Sequence, residues 1–171
     1  MIRCLPSLLV GLTLTLFLGG CAYRVGPTNG FSAGSRSIEI APFANDTQEA
    51  RLIDPVTSAM RRNIQRDGTF ALDTGGDADV VVTGRINGYL REELSVQPTD
   101  VVTVRDYRLV ISAHVLARNR ANGETLLDRT VTGQTTIRVG ADLVAAERQA
   151  IPIAADDLAF NITSLLVDGD F

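Results

Sequence analysis

Tryptophan and lysine are absent from this chain, histidine occurs once and cysteine twice. Each shortage removes a class of chemistry. The lone His114 sits between Ala113 and Val115 in a strand-like run, so it lacks a thiol partner and the strand-end position that general bases commonly take. The acidic pairs Asp77-Ala78-Asp79 and Asp156-Asp157 do not follow a metal-loop spacing and read as solvated carboxylates near a turn and on a helix face. No G-x-S-x-G, H-E-x-x-H, phosphate-loop or dinucleotide fingerprint occurs. The chain therefore reads as a non-enzyme without a cofactor. With 20 acidic against 16 basic residues and a formal charge of −4, it lacks the basic footprint of a general nucleic-acid binder. All the basic residues are Arg, from which nothing functional follows.

The strongest positive signal is at the start. Met1-Ile2-Arg3 leads into the nearly uncharged run Leu5 to Phe17, and Leu18-Gly19-Gly20 precedes Cys21. A short basic start, an apolar stretch and small residues make a secretory signal. The apolar part falls short of the roughly 20 residues that a spanning helix wants. Small residues set directly against a cysteine match the bacterial lipobox, so residues 1–20 are expected to be removed and Cys21 to be lipidated. More than one acyl chain, palmitate among them, would give a stable anchor. Cys4 would leave with the signal, so the mature chain would hold no thiol for a disulfide and would rely on packing.

Residues 21–35 are rich in Gly, Ser, Pro and Asn and read as a flexible tether. Residues 36–171 are expected to form a single domain, since about 150 residues suffice to bury one core. A first strand, Ser37 to Ala41, puts Ile38 and Ile40 on one face, and Pro42 belongs at its end or edge. A helix from about Asp54 to Asp67 would take Asp54 as N-cap and Pro55 at its first position. Val56, Met60 and Ile64 form its apolar stripe, and Gly68 stops it. Phe70 to Asp73 fits a short strand, and Asp79 to Tyr89 a strong one in which Gly84 marks a bulge or a close approach. Arg91 to Pro98 reads as a connection or an irregular strand end. Val101 to Arg118 alternates cleanly, with a bulge expected near Arg105-Asp106, and Asn122-Gly123 signals a hairpin into Glu124 to Val139. The last segment, Asp142 to Val167, is helical with a stripe from Ala146 to Leu165. Pro152 inside it predicts a kink or two helices. The expected fold is α+β: two helices on one face of a mainly antiparallel, roughly four-stranded sheet. The other face is left to solvent or a partner.

Binding chemistry rests on arginine. Arg61, Arg62 and Arg66 crowd the end of the first helix, where cations suit the helix dipole. Arg91, Arg105 and Arg108 lie on or near the main strands. Guanidinium groups recognise phosphate or carboxylate bidentately, so these six are candidate contacts for anionic groups. Convergence in space would favour a ligand, and scatter would disfavour one.

Cys21-Ala-Tyr-Arg-Val-Gly26, Ser37-Ile-Glu-Ile-Ala-Pro-Phe-Ala-Asn-Asp-Thr47, Arg61-Arg-Asn-Ile-Gln-Arg-Asp-Gly68 and Ala78-Asp-Val-Val-Val-Thr-Gly84 resemble the lipopolysaccharide-assembly lipoprotein family, LptE. The likeness continues through Asp106-Tyr-Arg-Leu109, Asn122-Gly-Glu124 and the terminal helix with Glu147. The resemblance implies an outer-membrane lipoprotein on the periplasmic face, anchored in the bilayer through Cys21. It would plug, and help to assemble, a β-barrel partner that delivers lipopolysaccharide to the outer leaflet, and would bind lipopolysaccharide itself. Ala22 after the cysteine fits outer-membrane sorting. The alternative is an accessory lipoprotein of another envelope assembly or secretion complex.

Overall fold

The computed structural model describes residues 33–97, 100–138 and 142–169, with 95–105 described through the backbone alone. Cys21 and most of the expected tether lie outside these residues. The elements run β1 (Arg36–Ile40), β2 (Ala44–Asn45), a single 3-10 turn (Ala50–Leu52), α1 (Ile53–Asp67), β3 (Phe70–Leu72), β4 (Val80–Gln97), β5 (Asp100–Asn119), β6 (Thr125–Arg138) and α2 (Leu143–Val167).

The sheet has six strands rather than four, in the order β3-β1-β4-β5-β6, with β2 also paired to β4. The long pairs β4–β5 and β5–β6 are antiparallel, whereas β1–β3, β1–β4 and β2–β4 are parallel. The extra strands arise because the segment after Ile40 keeps tracking β4. The Ala41 amide bonds the Val82 carbonyl and the Asp46 amide the Ile86 carbonyl, with Pro42-Phe43 bridging between. The Phe43 ring fills the interruption. A Cβ on Gly84 would come within 2.1 Å of that ring, so Gly84 marks a close approach, and the register slip lies further on, between Ile86 and Gly88.

Residues 91–97 continue β4 rather than forming a connection, since β5 gives them a partner strand. The ladder slips between Ser95 and Val96, where the paired residues on β5 jump from Asp106 to Val104 and pass over Arg105. This is the irregularity expected there.

Both helices cover one face of the sheet. Ile38, Ile40, Val80, Val82, Ile86, Leu109, Ile111, Ala113 and Val115 point towards them and are buried. Val56, Met60 and Ile64 of α1 and Ala150, Ala154, Leu158 and Ile162 of α2 close the core from above. Helix α1 starts one residue before Asp54, which sits in the first turn and is not the N-cap. The 3-10 turn leads straight into the helix, and Glu49 caps that turn by accepting from the Arg51 amide. Gly68, at φ 76°, ends α1 with its amide on the Ile64 carbonyl. Helix α2 is one helix of 25 residues with Pro152 inside it. The missing amide and ring clash cost about 3 kcal/mol, yet Ala150, Ile151, Ala154 and Ala155 around it are all buried, and their packing holds both halves together.

Strand β6 ends the sheet, and α2 closes part of its free edge. Asp157 accepts from the Gln134 amide at 2.8 Å and Asn161 donates to the Thr132 carbonyl at 2.9 Å. Backbone groups that invite edge-to-edge pairing are thereby satisfied. Helix and strand approach so closely that a Cβ on Gly133 would lie 2.2 Å from the Leu158 amide nitrogen and 2.5 Å from the Ala154 carbonyl oxygen.

Candidate functional site

The five candidate arginines whose side chains are described occupy four places. Arg62 and Arg66 lie one turn apart on α1 and flank a groove between the helices. Arg62 Nη2 is 3.6 Å and Arg66 Nη1 4.0 Å from the two oxygens of Asp156 on α2, which also accepts from Asn63 at 3.1 Å. The groove encloses about 520 Å³, is walled further by Pro152, Ile153, Asp157 and Phe160, and continues past Phe160 into a second hollow of about 320 Å³. Arg61 turns away to the Ile40 carbonyl at 3.3 Å.

Arg91 leaves β4 on the helix side. Its Nη1 meets the Glu147 carboxylate of α2 at 2.8 Å, with the Glu147 side chain only 8% exposed and Arg91 49%. Around it Tyr89, Thr47, Gln48 and Glu49 line a hollow of about 310 Å³. Arg51 donates through two nitrogens to Glu49, at 2.8 and 2.9 Å, and this holds the carboxyl at about 2, well below its ordinary 4.5. Burial, then the carboxylates of Glu147 and Glu49, push the Tyr89 hydroxyl up to about 12. That hydroxyl is buried and meets no hydrogen-bond partner among the described residues. This cluster of Arg91, Glu147, Tyr89 and Glu49 is the most buried charged arrangement on the helix side. The sequence reading took only Arg91 from it. Glu147 had a signal: it falls in phase with Ala150, Ile151 and Ala154, where an acid must find a partner.

Arg108 points the opposite way, onto the face of the sheet that the helices leave open, 3.4 Å from Glu92. The side chain of Arg105 lies outside the described residues. The described candidate arginines therefore do not converge: two share the helix groove, one turns back to the Ile40 carbonyl, one stands beside the buried glutamate and one is on the far face. Each already has an acidic or carbonyl partner.

The open face also carries His114, whose Nε2 is 2.8 Å from Asp128 Oδ1, both about half exposed. The pair has the distance of an acid–base couple, but it lies on flat strand surface, and His114 lines none of the hollows described. Nor, among the described residues, is there a group of three His, Cys, Asp or Glu side chains that could hold a metal ion. The arrangement suits non-covalent binding.

A family model, LptE, lipopolysaccharide-assembly, matches residues 35–166, from just before β1 nearly to the end of α2. The chain belongs to the LptE family. LptE proteins are non-catalytic lipoproteins, lipid-anchored on the periplasmic face of the outer membrane, and lipopolysaccharide transport is their setting. A search of curated proteins finds no match to the chain. Among solved structures, protein XCC0632 from Xanthomonas campestris aligns at 12% identity over 85% of this chain and 92% of its own, with a TM-score of 0.59. A minor lipoprotein from Acinetobacter baumannii aligns at 14% over 78% and 93%, with a TM-score of 0.52. A PelC dodecamer from Paraburkholderia phytofirmans aligns at 14% over 79% and 90%, with a TM-score of 0.50. At such identities these likenesses concern the fold alone, and the LptE assignment rests on the family model.

Proposed function

We propose that this LptE-family chain is the lipoprotein subunit of the lipopolysaccharide export translocon. It would plug and help to assemble a β-barrel partner, and aid delivery of lipopolysaccharide to the outer leaflet. The observation that carries this reading is the family match across residues 35–166. A domain whose candidate arginines already hold acidic or carbonyl partners, and which lacks a catalytic cleft among the described residues, suits such a role, because a plug needs surface and rigidity rather than reactive groups. Cys21 anchors the chain through its acyl groups, residues 21–35 give it reach, and residues 36–171 act as one domain. Arg61, Arg62, Arg66, Arg91, Arg105 and Arg108 remain candidate contacts to lipid phosphates or to the partner. For Arg62, Arg66, Arg91 and Arg108, an anionic group would have to displace the carboxylates that now hold them.

Affinity capture of the full chain from detergent-solubilised outer membrane tests the reading. Recovery of one large β-barrel protein together with lipopolysaccharide is the expected result. Recovery of a secretin, or of no barrel, overturns it in favour of another envelope assembly. Cys21→Ala should abolish incorporation of labelled palmitate and release the chain from the membrane pellet.

A further inference from the structure

The sheet ends on two unequal edges. Strand β3 is 3 residues long, whereas β6 runs from Thr125 to Arg138. Helix α2 covers only the middle of that long edge, where Asn161 donates to the Thr132 carbonyl and Asp157 accepts from the Gln134 amide. Those two contacts also show which backbone groups point away from β5. In an antiparallel strand the N–H and C=O of one residue share a side, and every second residue shares it too. Asp128 and Thr130 therefore turn theirs outward, as Thr132 and Gln134 do. Among the described residues nothing meets these outward groups of Asp128 and Thr130.

Space lies beside them. Helix and strand part there around a hollow of about 370 Å³, lined by Leu126, Leu127, Asp128 and Arg129 of β6 and by Leu165 and Asp168 at the end of α2. The ladder slips at Leu126, since the partners of Ala117 and Arg118 jump from Leu127 to Thr125. The free stretch is thus bounded on one side by that bulge and on the other by α2. Asp128 and Thr130 stand about 7 Å apart along it, which leaves room for a strand of roughly five residues.

We propose that this stretch of β6 takes up an extended segment of the partner protein as an added strand, main chain to main chain. This inference rests on the translocon reading, in which the partner is a β-barrel. A closed barrel wall has its own backbone groups paired, so the added strand comes from a loop or terminal extension of that partner and fastens the plug within it. A second copy of this chain fits poorly. A two-fold antiparallel register sets Asp128 against Asp128, a later one runs towards the backbone that α2 covers, and an earlier one meets the bulge. Side chains of the added strand alternate between two surroundings. Those on the helix side drop into the hollow against Leu127 and Leu165, which suits apolar residues. Those on the open face come beside the Asp128 carboxylate, which its contact with His114 leaves 57% exposed, and this suits basic ones. The edge therefore selects a segment in which apolar and basic residues alternate.

Proline separates the backbone from the side chain in the test. At Thr130 it removes the outward N–H and sets its ring where the added strand would lie, while the ladder to β5 through Arg129 and Val131 stays whole. The full lipoprotein carrying Thr130→Pro is used to capture the barrel from detergent-solubilised outer membrane. Thr130→Ala is the side-chain control, and Asp128→Pro stands in should Thr130→Pro fail to fold, as melting curves report. A folded proline variant should recover several-fold less barrel, and Thr130→Ala as much as the unaltered chain. In the purified complex the Asp128 and Thr130 amides should exchange with solvent at least roughly tenfold more slowly than in the free chain. Full recovery of the barrel by a folded proline variant overturns the proposal. So does protection that grows with the concentration of the free chain, which would mean that a second copy occupies the edge. The same capture separates the two readings. No barrel on the unaltered chain defeats the translocon reading and this one with it, whereas a barrel recovered with both amides unprotected defeats this one alone.

Discussion

The two helices lie side by side on the same sheet face and are built on opposite plans. Helix α1 is amphipathic: Val56, Met60 and Ile64 go inward, while Ser58, Arg61, Arg62, Gln65 and Arg66 stay outside. Helix α2 has eleven buried residues yet still shows Val144, Ile153 and Phe160 to the outside. By length and composition α2 would pass for a membrane span, but half of its most apolar window is buried within the fold, and it packs on β5, β6 and α1. The contrast teaches that a helix set against strand backbone needs small residues where the two backbones meet, whereas one riding on side chains needs only an apolar stripe. Ala150, Ala154, Ala155 and Ala159 supply that closeness in α2, and Gly133 supplies it in β6.

The sharpest way to break the contrast is therefore Gly133→Ala. The new Cβ would meet Leu158 and Ala154 backbone atoms, which cannot turn aside as a side chain can. We expect a loss of about 3 kcal/mol or more, read as a large fall in the urea midpoint. Gly84→Ala forms the comparison, because there the obstacle is the ring of Phe43. Its damage should be partly relieved by Phe43→Leu, whereas no single side-chain change should rescue Gly133→Ala.

Next in size is the link between α2 and the sheet at Arg91. Replacing Arg91 by Met leaves the buried Glu147 carboxylate without its 2.8 Å partner. Arg91 is half exposed, so water compensates in part, and we expect a loss of about 2 kcal/mol. Glu147→Gln with Arg91→Met should cost less than the sum of the two single changes in chemical denaturation. Helix α1 is fixed differently, by its ends: Gly68→Ala, forced into the left-handed region at φ 76°, should cost about 1 kcal/mol and fray the last turn.

What the sequence disclosed follows the same division. Helix α1 was legible because its stripe repeats every fourth residue and Gly68 closes it, both local signals. The alternating faces of β4 and β5 were legible for the same reason. Strand β2 was not, since two residues carry no periodicity and exist as a strand only because β4 lies alongside. Asp54 was misplaced as a cap because the 3-10 turn before it is set by the Glu49–Arg51 pair, which has the look of ordinary loop charge. Pro152 left both a kink and a break open because propensity is local, and the packing that keeps α2 a single helix comes from strands far off in the chain. Of the candidate site, the arginines could be named but not arranged. Arg91 and Glu147 are 56 residues apart, and which face each strand arginine takes depends on register slips at Asn87 and Leu94.

The smallest effect separates the two helix starts. Helix α2 begins at Asp142, whose carboxylate accepts from the Ala145 amide, whereas α1 is approached through the turn that Glu49 closes with Arg51. Because the Arg51 guanidinium holds the Glu49 carboxyl at about 2 rather than 4.5, the folded state binds its proton later than the unfolded chain. The stabilisation is complete above about pH 4.5 and fades as the pH falls towards 2. Glu49→Gln should therefore lower stability slightly at neutral pH, the pair being on the surface and screened by salt. The gap from the unaltered protein should close on acidification. Melting curves between pH 7 and 2.5 read this directly, and a gap that stays constant across that range would mean that the turn before α1 is held by its backbone alone.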